Sequence, residues 1–240
     1  MSERGDPTDS PLVRPDFARE KRKGVPEVIL ADSKGVEQAV SMAQSYLAEN
    51  GRAILSRVSP ELEARLRQLA EGEIELEWYE HTQAAVLRYP EGRPKPTGGR
   101  VGIISAGTSD VPTAEEAILM AREMGCEVYP AYDVGVAGLH RLFEPLEHLV
   151  AELDVDVIIV AAGMEGALPS VVSGLVPVPV IGLPTSVGYG LGGQGIAALY
   201  GMLQSCSPGL AVVNIDNGIG AGVIAGMIAN RAARFRTRKD

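Results

Sequence analysis

Cysteine is nearly absent: Cys126 and Cys206 are the only two in 240 residues. Two thiols cannot build a disulfide framework or a cysteine-only zinc site, so both of those classes are excluded. Long apolar runs are missing as well. The most apolar stretches, 155–162 and 176–183, have the length of a strand rather than of a membrane span. The first residues, MSERGDPTDSPLVRPD, lack the apolar centre of a signal peptide, and the expectation is a soluble cytoplasmic protein. Basic charge is also scarce. Lys and Arg total 22 against 31 Asp and Glu, a net charge of −9, which leaves no basic face for nucleic acid or an anionic membrane. Between Val101 and Asn230 the deficit is sharper, with only Arg122 and Arg141 against 13 carboxylates. A phosphorylated ligand there must be held by backbone N–H groups, helix N-termini, a metal, or arginines from elsewhere in the chain. Arg52, Arg57, Arg88 and Arg100 are the ones at hand.

What the chain does contain is enough apolar residue, 45%, to bury a sizeable core. Residues 1–15 are polar and read as a disordered tail. Residues 16–90 read as a small α/β domain: a charged helix, a strand at 25–30, a helix at 36–50 closed by Gly51, a strand at 52–58, a helix from Pro60 capped by Ser59, and strands at 74–80 and 84–89. The Pro- and Gly-rich stretch 91–99 reads as a hinge. From 100 to 232 five apolar runs, at 101–106, 128–132, 157–162, 178–183 and 210–215, alternate with helical segments at 113–124, 143–153, 167–174, 194–204 and 221–233. Runs without polar alternation suit strands buried on both faces, so five such units predict a flavodoxin-like, three-layer, doubly wound parallel sheet. Residues 233–240 read as a basic tail.

In such sheets ligands bind beyond the carboxyl ends of the strands, so the turns there carry the functional reading. The first, Ser105-Ala106-Gly107-Thr108-Ser109-Asp110, reads as an anion-binding turn or as a well-capped turn without a ligand. The second places Asp133 where a metal ligand or general base would stand, or a helix cap; His140 reads as structural. The third, Gly163-Met164-Glu165, holds the only charged residue between Asp156 and Asp216. Glu165 reads as functional rather than as a first-turn acid favoured by the helix dipole. The fourth, with Gly188, Tyr189 and Gly190, has more glycine than folding favours, which fits close approach of a ligand or a mobile loop. Cys206, in a polar turn, is a nucleophile or a bystander, while Cys126 reads as buried and structural. The last turn supplies Asp216 and Asn217 beside three glycines, spaced unlike the dinucleotide fingerprint. It suits a nucleotide or carboxylate site shared between subunits.

In order, SAGTSDVP, AAGMEGALP, VIGLPTSVGYG and NIDNGIGAG resemble the AIR-carboxylase superfamily over most of 100–232. The purine mutases of that superfamily carry a catalytic histidine in a Ser-Ala-His-Arg turn after the second strand. Here that turn is Ala131-Tyr132-Asp133-Val134. The segments DFAREKRKGVPEVI, GTSDVPTAEEA, YDVGVAGLHR, GMEGALPS, SCSPG and VVNIDNGIGAG are more similar to the LarB family, the pyridinium-3,5-biscarboxylic acid mononucleotide synthases of nickel-pincer cofactor biosynthesis. This resemblance implies a PurE-like core domain. It also implies carboxylation of nicotinic acid adenine dinucleotide by CO2 (or bicarbonate) with release of AMP, in support of lactate racemase. The implied nucleophile is Cys206, with Glu165 and Asp133 as bases or Mg2+ ligands. The implied substrate contacts are Ser105, Gly107, Thr108, Ser109, Asp110, Gly163, Met164, Gly188, Tyr189, Gly190, Asp216 and Asn217. A homo-octamer is the implied assembly. The competing readings are a purine-pathway mutase or carboxylase and a nucleotide-binding module without turnover.

Overall fold

The structure, a computed structural model, describes residues 15–236. The expected tail thus lies outside the described residues except for Pro15, as do residues 237–240 of the basic one. The small domain runs α1 (Arg19–Lys23), β1 (Val28–Leu30), α2 (Val36–Asn50), β2 (Arg52–Ser56), α3 (Pro60–Leu69), β3 (Glu75–Tyr79) and β4 (Ala84–Arg88). Its strands form one mixed sheet in the order β1-β2-β4-β3. The larger domain runs β5 (Arg100–Ser105), α4 (Val111–Glu123), β6 (Glu127–Ala131), α5 (His140–Glu147), β7 (Val157–Ala162), α6 (Leu168–Ser173), β8 (Val180–Pro184), α7 (Ile196–Leu203), β9 (Leu210–Val212) and α8 (Gly218–Arg236). Its sheet has the order β6-β5-β7-β8-β9 with every pairing parallel, the doubly wound arrangement expected.

The period of two along each strand decides which layer each residue joins. Val101, Ile103, Val157, Ile159, Ile181 and Leu183 pack under α4 and α8, while Ile104, Ile158, Val160 and Val180 pack under α5, α6 and α7. Helix α8 lies close on α4 because a glycine faces it at Gly222. A Cβ there would stand 2.6 Å from the Ala117 carbonyl oxygen and 2.7 Å from the Met120 Cβ.

The same parity joins the two domains. On β2 and β4, Ala53, Leu55, Ala85 and Leu87 face the small domain's own helices. Ile54, Ala84 and Val86 face the other way, onto Leu119 of α4. Arg52, Ser56 and Arg88 share that outward parity and meet Glu116 and Glu123, which with Leu119 form one stripe along α4. Glu123 is 2% exposed and holds Arg52 and Arg88 at 3.1 Å each. Arg88 also pairs with Glu77.

Three boundaries differ from expectation. The stretch 91–99 is strapped down: the Thr97 N–H donates to the Gly125 carbonyl at 2.9 Å, and Gly99 lies against Ala229 and Asn230 with no room for a side chain. Helix α8 extends through Arg236, which pairs with Asp156, so residues 233–236 are helix rather than tail. The expected helix at 143–153 starts three residues earlier, at His140, and passes after Glu147 into a wider turn, His148–Glu152, behind Pro145, which has no N–H to donate.

Candidate active site

Beyond the carboxyl ends of β5, β6 and β7 lies a cleft of about 280 Å3. Gly107, Ser109, Asp110, Gly163, Met164 and Glu165, all expected from the sequence, line it. Ala106, Gly135, Val136, Ala137, Ala162, Ala167, Leu168 and Val187 complete it. Sequence reasoning missed these; their one signal was small or aliphatic size directly after a strand. The result is an apolar hollow with a few polar groups, the usual character of a small-molecule site.

Each expected residue now has a place. Asp110 is 4% exposed and both of its oxygens are engaged, Oδ2 by the Gly107 N–H at 2.9 Å and Oδ1 by the Thr185 hydroxyl at 2.6 Å. It is a brace between turns rather than a free ligand for substrate. Ser105 is fully buried, and its hydroxyl accepts the Asp133 N–H at 3.2 Å. Thr108 and Ser109 are exposed at the rim. Gly163 is explained by packing: a Cβ there would overlap the Val187 carbonyl oxygen, whose own partner is the Met164 N–H at 2.9 Å. Met164 takes a left-handed backbone, φ 52°, which turns the chain back over the cleft and leaves Glu165 exposed beside it. Gly188 leans on Met164, whereas Tyr189 projects into solvent, 82% exposed, and nothing stands within 4 Å of where a Gly190 Cβ would be. These three do not line the cleft.

Asp133 is also outside it. Its carboxylate pairs with Arg141 at 2.8 Å, and the same guanidinium donates to the Asp133 carbonyl at 2.6 Å. Asp133 would have to leave this ion pair to share a metal with Glu165. Among the described residues no group of three or more His, Cys, Asp or Glu side chains could hold an ion. Asp216 and Asn217 line a separate hollow at the domain seam.

Of the four arginines weighed as phosphate ligands, Arg52 and Arg88 are spent on Glu123. Arg100 begins β5, the amino edge of its sheet, and pairs with Asp154. Arg57, paired with Asp32 at 3.1 Å, is the one that reaches the carboxyl edge, where it lines the seam with Glu116 and Asp216.

The two cysteines divide as expected by exposure. Cys126 is buried and bonded to Asn230, and burial pushes its thiol up to about 11, which keeps it protonated and unreactive. Cys206 is exposed. Its turn is held by Ser205 and Ser207, both bonded to Ser170 at 2.8 Å. It precedes β9, however, and so stands at the amino end of the parallel strands and is not part of its own chain's cleft lining.

A doubly wound sheet with an apolar cleft over its carboxyl edge, a buried aspartate bracing the first turn and an exposed glutamate on the third defines a ligand-binding α/β domain of enzyme type. Comparison with known proteins makes this specific. Residues 100–238 match the AIR carboxylase family model, and residues 8–89 match a model described as the LarB/PurE-like N-terminal domain. The chain belongs to the AIR carboxylase family. An uncharacterised protein of Methanocaldococcus jannaschii is 44% identical over 216 residues, 89% of this chain and 82% of that protein. An N5-carboxyaminoimidazole ribonucleotide mutase of the same organism is 36% identical over 125 residues, 51% of this chain and 74% of that enzyme. A crystal structure of a Treponema denticola PurE2 variant, 21% identical, covers 60% of this chain and 97% of its own with a TM-score of 0.42. Among the described residues no helix is long and apolar enough to cross a membrane.

Proposed function

We propose that this protein carboxylates the pyridinium ring of nicotinic acid adenine dinucleotide and hydrolyses its phosphoanhydride, giving pyridinium-3,5-biscarboxylic acid mononucleotide and AMP. The product serves nickel-pincer cofactor biosynthesis for lactate racemase. The observation that supports this most is the joining in one chain of a LarB/PurE-like N-terminal domain match, 8–89, to an AIR carboxylase match, 100–238.

The Cys206 thiolate adds to the electron-poor ring, and the dearomatised adduct carries enamine electron density at carbon 5. That carbon forms a bond to CO2. A base then removes the carbon 5 proton, and the electron pair expels the thiolate and restores the aromatic ring. Glu165, exposed beside the cleft, is the group we assign to proton removal. Water cleaves the phosphorus–oxygen–phosphorus link separately.

Cys206 does not line its own chain's cleft, so the thiol is assigned to the cleft of a second copy within a homo-octamer. An unpartnered apolar stripe supports assembly: Ile196, Tyr200 and Leu203 lie one turn apart on α7 and are exposed, with Tyr189 and Leu191 on the loop before it. We infer a cytoplasmic location on this reading.

A second reading, a purine mutase acting on carboxyaminoimidazole ribonucleotide, has the 36% likeness behind it. It lacks the imidazole after β6, where Asp133 is held by Arg141. Offering the pure protein both substrates in one vessel decides between them: consumption of the dinucleotide alone is expected, and consumption of the imidazole alone overturns the proposal.

A further inference from the structure

A second hollow, separate from the cleft, runs along the seam between the domains. One part, about 300 Å3, has an apolar wall that includes Val25, Leu30, Met120 and Ile219, with Arg57, Glu116 and Asp216 at its polar end. The other part, about 370 Å3, shares those three residues and adds the polar edge of His81, Gln83 and Thr113. The seam exists because the small domain's outward strand residues land on α4, as the Ser56 hydroxyl does on Glu116 at 2.5 Å.

The polar end selects against a phosphate and for hydroxyl groups. Arg57, beside Glu116 and Asp216, is bonded to Asp32 at 3.1 Å, and Arg19, which also lines the hollow, is paired with Glu27 at 2.6 Å, so each cation already has its own carboxylate. A phosphate would therefore meet net negative charge. Glu116 is committed to Ser56. Asp216 uses Oδ1 to accept the Ser186 N–H at 2.8 Å, and its second oxygen accepts no hydrogen bond among the described residues. A carboxylate oxygen beside an apolar slot matches a ribose hydroxyl next to a planar base, the recognition used widely for nucleosides.

Position adds a second argument. The cleft and the seam flank the same two segments. Ser109 and Asp110 face the cleft while Pro112 and Thr113, in the first turn of α4 just after them, face the seam; Val187 faces the cleft while its neighbour Ser186 is bonded to Asp216. One ligand with two ends can occupy both hollows by crossing these segments.

We propose that the seam binds the purine nucleoside at the far end of the substrate, with Asp216 accepting from its ribose and the wall of Val25, Met120 and Ile219 receiving its base. That the nucleoside is adenosine rests on the dinucleotide reading above. The test is calorimetric titration of the full chain with adenosine, AMP and inorganic phosphate. Adenosine and AMP are expected to bind with similar affinity, and phosphate neither to bind in the seam nor to displace adenosine. Asp216→Asn, which keeps an acceptor for Ser186, weakens adenosine about tenfold or more through loss of a charged hydrogen bond. Ile219→Trp, which fills the slot, abolishes it. Absence of adenosine binding to the wild type, or both variants binding like the wild type, overturns the seam assignment. So does displacement of adenosine by phosphate. The two proposals fail separately: adenosine held at the seam with no dinucleotide turnover sinks only the function, and turnover with adenosine indifferent to both variants sinks only the seam.

Discussion

Thr185 donates its hydroxyl to Asp110 at 2.6 Å, and this bond between two buried side chains ties the turn after β5 to the residue that follows β8. Between those turns lies β7, whose own exit carries Gly163 and Glu165. The walls of the cleft are held at a fixed spacing by a carboxylate both of whose oxygens are engaged within the protein.

Thr185→Val keeps the shape and removes the donor, leaving a buried carboxylate oxygen unpaired. We expect a loss of about 1–3 kcal/mol in urea denaturation, with catalytic efficiency falling as the cleft loosens. An unchanged midpoint would show that the brace does not matter.

The lock between domains is expected to be worth more. Glu123 stands between two buried guanidiniums, and removing one member of such a cluster leaves uncompensated charge. Glu123→Gln should cost about 3–5 kcal/mol, read as a shift in the cooperative transition. Exposed pairs such as Arg93 with Glu75 should give less than about 1 kcal/mol in the same assay.

Most of the fold was legible in the residues. Continuous Val and Ile runs can be satisfied only between two helical layers, so the five-stranded sheet followed from pattern alone. Ser59 and Pro60 placed the start of α3, and the structure shows the Ser59 hydroxyl accepting the Leu62 N–H at 3.2 Å. The site was less legible. Turns after strands could be named, but the direction of each side chain depends on what packs behind it. Asp110 looks like a ligand in sequence and is a brace because Thr185, 75 residues away, meets it. Arg52 and Arg88 look like free charges and are buried because their strand parity aims them at Glu123. The segment 91–99 looks like a hinge, yet its glycine and threonine are what let it lie flat on α8 and the turn at Gly125.

Glu116 gives a pH signature. Burial raises its carboxyl above the ordinary range, against the smaller opposing pull of Ser56 and Arg57. A raised folded-state value means the folded protein holds this proton more tightly than the unfolded chain. The stability it contributes is present at low pH and is lost as pH rises through the folded value. Glu116→Gln is neutral throughout, so it should gain on the wild type as pH rises above the ordinary carboxylate range in paired melting curves. A variant that loses ground over that rise contradicts the assignment.

Glu165 is exposed and supports no packing, so Glu165→Gln should melt within about 0.5 kcal/mol of the wild type. If it removes the ring proton, turnover should drop about 100-fold or more. Unchanged turnover removes it from the mechanism.

The central claim is the carboxylation itself. Pure protein is incubated with nicotinic acid adenine dinucleotide and isotopically labelled bicarbonate, beside Cys206→Ala, and the products are weighed by mass spectrometry. The account predicts AMP together with a pyridinium mononucleotide that has gained one labelled carboxylate, the labelled product being lost in the variant. An intact dinucleotide, or a labelled product formed equally well without the thiol, would contradict it.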